Sequence, residues 1–388
     1  MDYGGGITRP GLLDFAPKLK SRIIASHQEF FLSTFEMLTR WPPLDKWFSR
    51  ISRRLTGGFL YSVKVEVNTA CMLNCEMCYI REHEKELPLE IVLTLLDDIK
   101  DCHVRLEILG GEPLIRRDLE EMIRYAKFKS HVPLISIYTN GLEATKERSS
   151  GLKAAGLDVA IVTLISHEKD VHDAFTGMKG SWDRTVENIV NLREAGITTY
   201  TFTAVHRKNY RDVRKIYNFV KNQLMVDPLF YQYIPQRKND PLLIDSHDWD
   251  KIKHWVLVEK NPEHAEFVRK FYMLTGNACS GGNFVFTVKA DGSVQPCPFL
   301  TEIPLGNIYQ ESIWKIYKHR FRSGELKNFK SLPPECTDCG YKSVCFGGCR
   351  AGNNLVAGGW CTRDIRCLGP YREPIHKEEV VDKVPSFF

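Results

Sequence analysis

The sequence predicts an α/β fold: an incomplete (β/α)6 TIM-like barrel with an N-terminal helical extension and a C-terminal cysteine-rich domain. Three observations carry that expectation. Six short β-like runs alternate with amphipathic helical stretches over residues 60–234, a cysteine-dense tract occupies 279–370, and a basic amphipathic segment precedes both. Parallel strands need crossover connections, which the alternation supplies. Six units in 175 residues fall short of the eight in a closed barrel, so one side of the sheet should stay open.

Composition sets the limits. The 388 residues are 43% hydrophobic and 26% charged, an ordinary globular balance that excludes a largely disordered chain. No run approaches the roughly 18 apolar residues that span a bilayer. Residues 1–11 have neither the apolar core nor the cleavage site of a secretory signal, so a cytoplasmic, reducing setting is expected. There, twelve cysteines read as metal ligands before disulfides.

The elements follow in order. Residues 1–58 carry nine Lys/Arg against five acids. Within them Leu44, Trp47, Phe48, Ile51 and Leu55 share a helical face opposite Lys46, Arg50, Arg53 and Arg54. Two readings stand: a helix lying on an anionic membrane surface as a peripheral contact, or a helix packed on the next domain with its basic face solvated. No basic run is interleaved with aromatics, so no nucleic-acid partner is expected. Strands are expected at 62–68, 103–109, 133–139, 158–164, 198–206 and 228–234, within a barrel domain spanning 59–235. Helices are expected from Pro88 and over 119–127, 185–194 and 211–224. A helical connection fills 236–273, the cysteine-rich domain 274–370, and a polar tail 371–388.

Cys71, Cys75 and Cys78 (CMLNCEMC) follow the first strand, which puts them at the carboxyl end of the sheet, where barrel active sites assemble. Three thiolates cannot close a tetrahedral zinc site alone; they can hold three corners of a cubane iron–sulfur cluster and leave one iron open. A zinc loop completed by a distant ligand, or three buried thiols, are the bland alternatives. Downstream come Gly110-Gly111-Glu112-Pro113, then Thr139-Asn140-Gly141, at successive strand ends, then a VHDAFTGMKGSW loop over 171–182. This order resembles the radical S-adenosylmethionine (SAM) superfamily, with its CxxxCxxC, GGEP and TNG motifs. The resemblance implies a [4Fe-4S] cluster with an open iron, SAM chelated to it, and a 5′-deoxyadenosyl radical that abstracts a substrate hydrogen atom.

Carried over by motif, Gly110 and Gly111 let backbone approach the methionine end of SAM, Glu112 accepts from its ammonium beside Pro113, and Asn140 reaches the ribose. The sequence departs from the family at Met77, where an aromatic is usual, and at Thr163-Leu164-Ile165, where Ser-Leu-Asp is common.

The later cysteines, C-x12-G-x4-C from Cys279 through Gly292 to Cys297, then Cys336, Cys339, Cys345, Cys349 and Cys367, resemble the SPASM extension of that superfamily. By spacing alone Cys336–Cys349 also reads as a zinc knuckle. The resemblance implies two auxiliary iron–sulfur clusters, one on Cys336, Cys339, Cys345 and Cys367, the other on Cys279, Cys297 and Cys349 with its fourth ligand undefined. Cys102 and Cys361 are left over. The implied activity is modification of a peptide or protein side chain, supported by a reductant such as flavodoxin or ferredoxin. The alternative is the same chemistry on a small molecule, lipid or tetrapyrrole. An iron–sulfur electron carrier is the reading from another class, and GGEP after the first cluster argues against it.

Overall fold

Strict alternation in the first run forms β1 (Ser62–Glu66), whose Val63 and Val65 are fully buried under helices. The alternate residues, Ser62, Lys64 and Glu66, face the concave side. The computed structural model describes residues 60–80, 84–255, 279, 281–339, 342 and 347–369. The expectations for 1–58, for most of the 236–273 connection, for Cys345 and for the tail from 371 fall outside the described residues.

The remaining expected strands follow: β2 (Arg105–Leu109), β3 (Ile135–Thr139), β4 (Val159–Thr163), β5 (Thr198–Val205) and β6 (Asp227–Gln232). All six pair in parallel with their sequence neighbours. The crossovers are α1 (Leu89–Asp98) entered from Pro88, α2 (Leu119–Phe128), α3 (Lys146–Ala155), α4 (Lys169–Thr176), α5 (Ser181–Glu194) and α6 (Val213–Phe219). α6 runs on into a wider turn, Val220–Leu224, that ends at left-handed Met225.

Two of these helices depart from the sequence reading. α3 was not expected: KERSSGLKAA has Gly151 at its centre and buries only Ser149, Leu152 and Ala155, a weak apolar stripe. It is set by its Thr145 cap, whose hydroxyl accepts from Arg148 N at 3.2 Å. The 171–182 stretch, read as a loop, is mostly α4 and the start of α5.

The open side is extended by the C-terminal region. β7 (Val285–Val288) lies parallel to β1, and β8 (Ser293–Gln295) and β9 (Gly306–Asn307) continue antiparallel, giving the order β6-β5-β4-β3-β2-β1-β7-β8-β9. The cysteine-rich region thus shares the barrel's sheet. α7 (Ser246–His254) precedes it, and α8 (Ile313–His319), α9 (Gly324–Phe329) and α10 (Arg350–Ala357) follow. α8 docks on α1 through Ile313 N and Trp314 Nε1, which donate to Asp98 at 2.9 and 2.6 Å. A large core fills the space between sheet and crossover helices. A small one, Leu300, Ile303, Leu326, Phe329 and Ala351, lies in the C-terminal region with Cys279, Cys297 and Cys349 packed against it.

Candidate functional site

β1 ends at Glu66, and Cys71, Cys75 and Cys78 follow within twelve residues on a loop at the carboxyl end of the sheet. The loop is held by helix ends that would otherwise lack partners. The last carbonyls of α4 have no intrahelical donor, and Phe175 O and Thr176 O accept from Glu76 N and Asn74 N at 3.1 and 3.0 Å. Asp173 then fixes the turn into α5, accepting from Gly180 N, Ser181 Oγ and Trp182 N at 2.6–2.9 Å. α4 is a support for the cysteine loop that the motif reading did not reveal.

The GGEP stretch packs against the chain that leads into Cys71. A Cβ at Gly110 would lie 2.3 Å from Asn68 Oδ1, and one at Gly111 would lie 2.2 Å from Ala70 O and 2.4 Å from Thr69 O. The space these glycines leave is filled by the chain that leads into Cys71. Two backbone bonds, Gly111 N to Asn68 O (2.9 Å) and Glu112 N to Ala70 O (2.7 Å), close that contact. The Glu112 carboxylate is fully buried and accepts from Leu114 N (2.9 Å), Thr139 Oγ1 (2.6 Å) and Asn140 N (2.7 Å). It pins the second strand end to the third, and burial pushes its pKa up to about 7 despite those donors. Pro113 opens a short turn, Pro113–Ile115, behind it. Asn140 Nδ2 lies 3.7 Å from Cys71 Sγ and 3.2 Å from Met72 Sδ.

The three thiols of the first loop act on one another. Burial pushes Cys75 up to about 12, with the neighbouring Cys71 and Cys78 adding to the shift. Burial raises Cys71 as well, and thiols that resist ionisation suit a cationic iron centre, which supplies the charge the thiolates need. Leu73 N (3.4 Å) and Asn140 Nδ2 already aim N–H groups at Cys71 Sγ, as a thiolate ligand requires. Among the described residues no three His, Cys, Asp or Glu side chains gather around a single-ion position. In an iron–sulfur cluster the thiolates are shared among several irons.

The later cysteines fall into two groups. Cys279, Cys297 and Cys349 are mutual neighbours, and Cys297 is pushed up to about 12 by burial and then by the other two. Cys336, Cys339 and Cys367 form the second group, with Cys336 pushed up to about 11 by burial and by its partners. Cys102 is buried beneath α1 with its thiol on Lys100 O (3.0 Å), and Cys361 lies against Leu332 O (3.5 Å).

Between these loops runs a polar contact that crosses from barrel to hairpin. Tyr79 Oη donates to Glu66 Oε1 (2.9 Å), Lys289 Nζ reaches the same oxygen (2.6 Å), and the Tyr79 ring packs on Phe299 at 4.8 Å. Met77 instead packs with Ile165, Phe175, Tyr233 and Leu242.

The concave face of the sheet carries charge and aromatic rings. Lys64 Nζ pairs with Glu107 Oε2 at 2.8 Å, and Ser62 Oγ donates to Glu107 Oε1 at 2.5 Å. Burial opposes both charges, but the pair outweighs it, raising Lys64 and lowering Glu107. Lys64 lies 5.4 Å from the Tyr138 ring centre, and Phe202 stacks on Tyr231 at 4.9 Å. His206 and Tyr233 are core groups: His206 stacks on Phe175 at 4.2 Å, and Tyr233 Oη donates to Asp240 at 2.8 Å. Asp291 belongs to a turn, accepting from Ser293 N and Oγ.

The comparisons with known proteins agree with this geometry. Residues 65–220 match the family model of the radical SAM superfamily, and 279–340 match the SPASM model, an iron–sulfur cluster-binding domain. An AdoMet-dependent heme synthase of Methanosarcina barkeri is 26% identical over 334 residues, 78% of this chain and 95% of that protein. An Fe-coproporphyrin III synthase of the same organism is 27% identical over 357 residues, covering 80% and 86%. The crystal structure of Streptococcus suis SuiB bound to its precursor peptide SuiA superimposes with a TM-score of 0.65 at 17% identity, covering 82% of this chain and 78% of that one. The chain belongs to the radical SAM superfamily and carries a SPASM domain at its C-terminal side.

Proposed function

We propose that this radical SAM/SPASM enzyme acts on a carboxylated tetrapyrrole. The observation that carries the reading is the similarity to heme and Fe-coproporphyrin III synthases along about four-fifths of the chain, through both barrel and cysteine-rich region. The peptide substrate expected from the sequence has support only from neighbours at 17% identity, which share the fold.

Family membership implies a [4Fe-4S] cluster and SAM. In the proposed arrangement Cys71, Cys75 and Cys78 hold that cluster, with Gly110, Gly111, Glu112, Pro113 and Asn140 framing SAM beside it. Auxiliary clusters sit on Cys279, Cys297 and Cys349, and on Cys336, Cys339 and Cys367 with Cys345. When bound, cluster and SAM together supply a hydrogen-abstracting 5′-deoxyadenosyl radical. The protein's part is positional. Glu112, Asn68 and the α4 carbonyls keep the loops in register, since an error of about 1 Å in a reacting centre can cost about a hundredfold. Lys64 offers a cation to a substrate carboxylate, and the faces of Tyr138, Phe202 and Tyr231 suit a planar macrocycle. An external one-electron reductant completes the system.

The test is anaerobic reconstitution followed by measurement of 5′-deoxyadenosine formed from SAM and dithionite. Within a panel of carboxylated tetrapyrroles with and without iron, one compound should accelerate its formation and be consumed in proportion. Failure of the tetrapyrrole panel, with acceleration by a peptide, would overturn the substrate class while leaving the chemistry standing.

A further inference from the structure

Each thiol of the Cys279–Cys297–Cys349 group has a cation close by. Lys330 Nζ donates to Cys279 O at 2.7 Å and to Gly281 O at 2.9 Å, which seats the ammonium beside the Cys279 loop. Arg366 is buried, gripped by Asp364 through Nε–Oδ1 (3.0 Å) and Nη2–Oδ2 (3.1 Å), with Nη1 on Tyr233 O (3.3 Å). Its charge acts on Cys349, lowering that thiol's pKa against burial, while Asp364 Oδ2 accepts from Cys349 N at 2.8 Å. Lys64 acts on Cys297 from the concave face of the barrel. At the first loop the side chain acting on both Cys71 and Cys75 is an acid, Glu112, whereas at Cys349 the effect of the Asp364 carboxylate is outweighed by Arg366.

Reducing an iron–sulfur cluster adds one negative charge to it. Cations and N–H donors near the sulfurs stabilise the reduced form and raise the potential; a nearby carboxylate lowers it. In a buried setting such charges are weakly screened.

We propose that Lys330 and Arg366 are potential-setting residues, holding a cluster on Cys279, Cys297 and Cys349 at a higher reduction potential than one on Cys71, Cys75 and Cys78. The inference rests on the ligand assignment given under the proposed function. An electron shared between the two sites resides on the C-terminal one: the first cluster is oxidised by one electron and the second reduced by one, with no proton moved.

The experiment is a redox titration of the reconstituted full-length protein followed by electron paramagnetic resonance. Cys297→Ala, and a Cys71→Ala/Cys75→Ala/Cys78→Ala triple variant, assign the midpoints. Lys330→Met should lower the midpoint assigned to the Cys279–Cys297–Cys349 cluster by at least a tenfold change in the one-electron constant, about 59 mV. The first-loop midpoint should stay in place, and Lys330→Arg should keep both. Arg366→Gln, which retains an N–H but not the charge, should shift the same cluster in the same direction. With iron content intact, unmoved midpoints or equal shifts at both clusters would overturn the inference alone. A triple variant that binds no iron would overturn the ligand assignment, and the inference with it.

Discussion

Replacing Gly111 by alanine separates two uses of a glycine. If the residue leaves room for SAM, the protein without SAM should be as stable as before and only SAM binding should weaken. The structure argues for the other use. The new Cβ would start 2.2 Å from Ala70 O and 2.4 Å from Thr69 O, backbone atoms that no rotamer change can move, and needs at least 3.0 Å. One of the two segments must therefore shift by about 0.8 Å, the difference between 3.0 and 2.2 Å. That strains Gly111 N to Asn68 O and Glu112 N to Ala70 O, both under 3 Å. Overpacking costs about 1–3 kcal/mol and each weakened buried hydrogen bond about 1 kcal/mol, so the loss should be about 3–5 kcal/mol. Because the displaced segment leads directly into Cys71, 5′-deoxyadenosine formation should fall by about a hundredfold. Denaturant unfolding without SAM, with iron content and SAM cleavage on the same samples, measures both. A Gly111→Ala protein that unfolds within about 1 kcal/mol of the parent without SAM would refute the packing argument.

Glu112→Gln should cost about 2 kcal/mol without SAM, because an amide nitrogen replaces an acceptor facing three donors; thermal unfolding checks it. His206 and His172 are both pulled down to about 4 by burial, from 6.5. The unfolded chain therefore takes up protons first, so the stability they contribute is full above pH 6.5 and lost as pH falls toward 4. Between pH 7 and pH 5 each should account for about 2 kcal/mol, and His206→Asn should flatten that slope in denaturant titrations. Lys64→Met should strand Glu107 on the concave face at a cost of about 3 kcal/mol, and Lys64→Met/Glu107→Leu should recover most of it in a double-mutant cycle. The same double variant should lose tetrapyrrole-stimulated SAM cleavage while retaining the unstimulated rate.

The parts legible in the sequence were those with local signatures. The first two parallel strands announced themselves by period-two alternation and the other four as short β-like runs, while the grouping of the later cysteines came from the family resemblance. α3 was hidden because Gly151 and two serines blur its apolar stripe. The supporting contacts were hidden for another reason: they join residues far apart in the chain. Asn68 meets Glu112 across 44 positions, Arg366 meets Tyr233 across 133, and Lys289 meets Glu66 across 223. No local periodicity encodes such a partner. The GGEP glycines show a subtler limit, since the sequence marks that a close approach occurs but not what approaches.

The shared strand explains how the two cysteine regions can be held in fixed relation. β1 pairs with β2 on one side and β7 on the other, both in parallel. Parallel neighbours about 4.8 Å apart leave the sheet at the same end. The chain leaving β1 therefore reaches Cys71, Cys75 and Cys78 beside the chain leaving β7, whose hairpin leads to Cys297. Lys289, the residue after β7, reaches back to Glu66, the last residue of β1, and Tyr79 and Phe299 close the gap beyond them. The spacing is set by backbone hydrogen bonds and a buried ion pair, not by the length of the connection between β6 and β7. Variation in that connection can therefore be tolerated without altering how the two regions face each other, whereas a slip in the β1–β7 register would move every group between them.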